Sequence, residues 1–128
     1  MNNYFLACAA LIVLSGAIHS GLGETLILSR LETDRLPTTP FGGQRMTFQL
    51  LRGTWHLLTL VWLVLAAALV FFASSPSDPR GVGIAQLVVV LFAMMGLGIF
   101  ANNPRMLLRH PACLLFLSIA CLAWCGCR

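Results

Sequence analysis

A chain of 128 residues that is 59% hydrophobic and only 9% charged lies far from the composition of a soluble domain, in which about a quarter of the residues carry charge. Its net charge of +4 comes from eight arginines and no lysine, set against four acids. That composition excludes a soluble globular enzyme and leaves too little charge for a nucleic-acid surface.

Four apolar stretches occupy residues 4–23, 54–73, 83–101 and about 106–127. Each is long enough for a helix to cross a hydrocarbon core, which takes about 20 residues. The expected fold is all-α, an integral membrane antiparallel four-helix bundle. It forms a single domain over 1–128, with a cytoplasmic loop and helix extension at about 24–53.

The first stretch differs from a secretory signal, since Met1-Asn2-Asn3-Tyr4 has no basic residue and the apolar run exceeds a usual h-region. Phe5-Leu6-Ala7-Cys8 is similar to a lipoprotein cleavage box, but the apolar run continues well beyond Cys8, so the segment reads as a span. Within it Ala9, Gly16, Ser20 and Gly23 form a small-residue stripe suited to close helix packing, while Cys8, Ser15 and His19 share one face. Helix-forming residues continue from Glu24 to Leu31. Two prolines and paired glycines within Leu36–Gly43 then break the helix.

From Gln44 a new helix is expected to run without a break into span two, with Gln49, Arg52, His56 and Thr59 on one face. The residues from Ser74 to Gly81 read as a turn between antiparallel neighbours. Span three offers Ala93 and Gly96 for close packing, and Asn102–Arg105 leads into span four. There His110, Cys113, Cys121 and Cys125 spread over about a third of the helix circumference at 100° per residue.

Arginine placement orients the bundle. Arg30, Arg35, Arg45, Arg52, Arg105 and Arg109 fall on one side, and Arg80 and Arg128 on the other. Basic loops stay in the cytoplasm, which predicts that both termini face outward, to the periplasm if the cell is Gram-negative. Tyr4, the Phe71-Phe72 pair and Trp124 suit the outer interface, and Trp55 the inner one.

The polar residues define one candidate site. His19 closes span one, His56 opens span two and His110 opens span four, all toward the basic face. Ionisable side chains normally turn to a bundle interior rather than to lipid. His19, Glu24, Arg52, Trp55, His56, Thr59 and His110 are therefore expected to form a polar cluster at the cytoplasmic leaflet. Imidazoles at His19, His56 and His110 would suit a transition metal, and a pair from two helices would suit a haem iron. The competing reading is of interfacial histidines bonded to water, backbone or lipid phosphate, with no cofactor. Cys8 could bridge Cys121 or Cys125 at matched depth, or the cysteines could act as small hydrophobes.

The segments His19-Ser20-Gly21-Leu22-Gly23-Glu24 and Arg52-Gly53-Thr54-Trp55-His56-Leu57-Leu58-Thr59 resemble those of a group of small four-span bacterial membrane proteins of uncharacterised function. The resemblance implies an inner-membrane location and singles out His19, Glu24, Arg52, Trp55 and His56, without supplying an activity. The four-helix thiol oxidoreductases typified by disulfide bond formation protein B are a poorer comparison, because their paired cysteine motif is absent.

Three functions follow. The first is a structural or accessory bundle, a homo-oligomer or part of a larger membrane complex, whose constant partner is the lipid bilayer. The second is a small proton-coupled or anion transporter using His19, His56, Arg52 and Glu24. The third is a haem- or metal-bound redox protein. The first is favoured because no carboxylate lies deep in a span, where coupled carriers often place one.

Overall fold

Long runs of Leu, Ala, Val and Phe without interior proline let the backbone satisfy its own hydrogen bonds as helix. The computed structural model describes residues 1–38, 40, 42–75, 77–102 and 111–128, and its regular elements are all helical. Helix α1 spans Asn3–Leu22, α2 Gln44–Phe72, α3 Pro79–Asn102 and α4 Ala112–Gly126. The first three are long and apolar enough to cross a membrane, and α4 is a shorter apolar helix. The expected start of span four, residues 106–110, lies outside the described residues.

Local chemistry sets the boundaries. The Asn2 side chain accepts from the backbone N–H groups of Tyr4 and Phe5 at 3.0 and 3.3 Å, capping α1. Asp78 Oδ1 accepts from the Arg80 N–H at 2.8 Å, and Pro79 takes the first helical position, where its missing N–H costs nothing. Helix α3 therefore takes in Pro79, Arg80 and Gly81, which the sequence reading assigned to the turn. The continuation after α1 is helical but not α: a π turn covers Gly23–Ile27 and a 3-10 turn Leu28–Arg30. Helix α2 has 29 residues, about 43 Å at 1.5 Å per residue. It would outrun a hydrocarbon core of about 30 Å.

Helix α1 lies against α2 and α4, and α3 closes the ring by contacting α4 and α2. Phe5, Cys8, Ile12, Trp62, Leu69, Val88, Phe92 and Ile119 are core residues with 1% exposure or less. At one level each helix supplies a ring. The Trp62 ring lies 5.2 Å from that of His19, 5.5 Å from Phe92 and 5.6 Å from Phe116, and Phe92 and Phe116 are 5.6 Å apart. Tilted and edge-to-face pairs of this kind add about 0.5–1.5 kcal/mol beyond the area they bury.

At one end of the bundle, Asn2 ties three helices together. Its N–H donates to the Ala73 carbonyl at 2.7 Å, and its Nδ2 donates to the Gly126 carbonyl at 2.8 Å. Arg80 and Arg128 belong to this end, while Arg30, Arg35, Arg45 and Arg52 belong to the opposite one, where α1 gives way to α2. Large apolar side chains face outward along the helices between: Leu57, Leu60, Val64, Leu87, Val90, Met94, Leu97 and Leu114 are all more than half exposed.

A polar clasp between α1 and α2

The end that carries the four arginines also brings the site residues of α1 and α2 together. Gly16 and Gly23 make the approach feasible. A Cβ on Gly16 would lie 3.2 Å from Thr59 Cγ2, and one on Gly23 would lie 2.1 Å from Trp55 Nε1. Small residues at such points bring backbones close enough for side chains to bond across the helix pair.

Across this seam runs one hydrogen-bonded series. Arg52 grips Glu24 through both carboxylate oxygens, with Nη2 at 2.7 Å from Oε1 and Nε at 3.1 Å from Oε2. The same Oε2 lies 3.1 Å from His56 Nε2. His56 Nδ1 lies 3.0 Å from Ser20 Oγ, which is 2.9 Å from Thr59 Oγ1. Exposure falls along the series: the side chains of Arg52, His56 and Glu24 are 53%, 38% and 33% exposed, and Thr59 is 8% exposed. The series thus begins at a charged rim and ends inside the bundle, three residues before Trp62 on the same helix.

Its chemistry has two settings. With His56 neutral and its proton on Nε2, the ring donates to Glu24 and accepts the Ser20 hydroxyl proton at Nδ1. With His56 protonated, both ring nitrogens donate, and Ser20 must turn its own proton toward Thr59. The hydroxyls serve either setting because each can donate and accept. The geometry can therefore hold a proton on the imidazole between a carboxylate and a hydroxyl without leaving a partner unpaired.

His19 sits outside this series. Its ring stacks on Trp55 at 4.6 Å with planes 3° apart and leans on Trp62. Trp55 and Trp62 are seven residues apart on one helix face, so the two indoles hold the imidazole between them. Trp55 Nε1 also donates to the His19 backbone carbonyl at 3.1 Å. Among the described residues His19 Nε2 and Trp62 Nε1 are buried without a hydrogen-bond partner, a condition that costs about 1–3 kcal/mol for each such group. The structure thus joins Arg52, Glu24 and His56 directly and Thr59 to His56 through Ser20, and it places His19 with Trp55 in a separate aromatic stack.

His110 lies outside the described residues. Among the described residues no group of three or more His, Cys, Asp or Glu side chains is placed to hold a metal ion. All five cysteines are free thiols. Cys8 is buried with its thiol toward the Ile119 carbonyl at 3.6 Å, Cys113 donates to the Gly96 carbonyl at 3.2 Å, and Cys121 is exposed.

Two residues escaped the sequence reading. Ser20 counted only as a small packing residue, although it stands one turn before Glu24 and faces the Arg52–His56–Thr59 stripe. Trp62 lies too far inside its span for an interfacial belt, and that depth is the signal of a core ring. Neither family models, curated proteins nor solved structures match this chain. Its function has to be read from its own side chains.

Proposed function

We propose that this chain is a multi-pass integral membrane protein of the bacterial inner membrane, with four spans. We propose a structural or accessory role, as a homo-oligomer or in a larger membrane complex. The outward-facing Leu, Val and Met side chains of α2, α3 and α4 support the membrane part of this reading, since an apolar surface of that extent needs lipid or protein against it. One observation carries the accessory role. Arg52, Glu24 and His56 in the α1–α2 seam are spent on one another, and the series they form ends at Thr59, next to the ring layer of His19, Trp62, Phe92 and Phe116. Such a seam clamps two helices together, and the rings beyond it offer a solute no polar route.

A proton-coupled or anion carrier is the second reading, favoured by the two-way hydrogen bonding of His56. Reconstituted liposomes separate the two. An accessory bundle leaves proton flux under an imposed pH gradient equal to that of empty liposomes, and it copurifies with a second copy or a partner in fixed ratio. Flux well above empty liposomes that is lost in His56→Ala would replace the accessory role with transport. The haem or metal reading requires a visible absorption band or bound metal in the purified protein.

A further inference from the structure

The π and 3-10 turns after α1 lay residues 23–31 beside the first half of α2 and leave a groove of about 420 Å3 between them. That volume falls in the ~300–1,000 Å3 range of ligand sites. Leu28, Leu31, Leu51 and Leu58 wall it, with Trp55 and His19 also in its lining. Leu31 is also a wall of a second concavity of about 390 Å3, lined by Arg30, Glu32 and Arg35. Glu32 is ion-paired with Arg35, and Glu24 is taken by Arg52 and His56. Among the described residues Arg30 has no carboxylate partner, so the second concavity carries one uncompensated positive charge.

A hydrocarbon-lined groove joined to a single free guanidinium suits a ligand with an apolar tail and an anionic head. The geometry points to a site for an anionic phospholipid, one acyl chain lying in the leucine groove against Trp55 and the headgroup phosphate on Arg30. The planar guanidinium matches phosphate oxygens in pairs, and the neutralised Glu32 leaves no net repulsion. Bound there, the lipid fills the space between the chain after α1 and α2. The inference rests on the membrane reading above.

Native mass spectrometry of the full chain released from detergent, with phosphatidylglycerol or phosphatidylcholine of identical acyl chains, tests it. The expected result is retention of one phosphatidylglycerol with a preference of about fivefold, the equivalent of about 1 kcal/mol for one arginine at an anionic headgroup. Arg30→Gln removes that preference, while Arg45→Gln, outside both concavities, keeps it. Leu31→Trp fills the groove and lowers retention of both lipids; Leu51→Trp does the same should the first variant fail to fold. Equal retention of the two lipids, a preference that survives Arg30→Gln, or a bound polypeptide that neither lipid displaces would each overturn the site. Alkaline carbonate washing of membranes keeps the two failures apart. A chain that washes out loses the membrane reading itself, whereas a chain that stays but shows no preference loses only the lipid site.

Discussion

Ser20 contributes one hydroxyl, and both neighbours of that hydroxyl lie on the other helix, His56 Nδ1 at 3.0 Å and Thr59 Oγ1 at 2.9 Å. An alanine there leaves His56 bonded to Glu24 but strips Nδ1 and Thr59 of their shared partner. Interhelical bonds of this kind are worth about 0.6–1.7 kcal/mol in a bilayer, and alanine returns a few tenths through its better helix propensity. Ser20→Ala is therefore expected to cost about 1 kcal/mol in a denaturant titration of the detergent-solubilised protein. Ser20→Thr, which keeps the hydroxyl, should recover part of it. An unchanged midpoint for Ser20→Ala would mean that the seam is held by packing alone. The ion pair at the rim deserves a smaller estimate, because Arg52 and Glu24 are 53% and 33% exposed and water screens them.

Among the elements, the end of α1 is where α2 approaches most closely. The Gly23 N–H points to the carbonyls of His19 and Ser20, and the Trp55 indole N–H arrives at the same His19 carbonyl. The His19 carbonyl thus keeps its helical partner and gains a second donor from α2, and π winding begins directly after it, over Gly23–Ile27. Glycine is needed there because any Cβ would fall 2.1 Å from the indole nitrogen. Gly23→Ala should cost about 1–3 kcal/mol, the range for overpacking, despite the roughly 1 kcal/mol by which alanine is the better helix former. Thermal unfolding followed by circular dichroism checks this. A more stable variant would show that the indole can move aside at little cost.

For the whole molecule the decisive features are the two unlike ends and the apolar flanks. Arg30, Arg35, Arg45 and Arg52 share the end opposite Arg80 and Arg128, so the charge asymmetry seen along the chain is also an asymmetry of the bundle. Under the positive-inside rule a phosphatase that works only outside the cytoplasm should be active when fused after Arg128. A reporter active only in the cytoplasm should be silent there. The opposite pattern would invert the bundle and put the Arg52–Glu24–His56 seam, with the leucine groove beside it, at the outer leaflet.

Composition and span length sufficed for the all-helical architecture and for three helices of membrane-crossing length, because apolar length is a local property. The face shared by Arg52, His56 and Thr59 was legible too, since helical spacing places them on one stripe before any partner is known. Which side chains meet across the seam depended on how α1 rotates against α2, and that rotation is set by the close contacts at Gly16 and Gly23. His19 and Ser20 are adjacent in the chain but about 100° apart around the helix. Only packing could decide that the histidine enters the Trp55–Trp62 stack while the serine completes the hydrogen-bonded series.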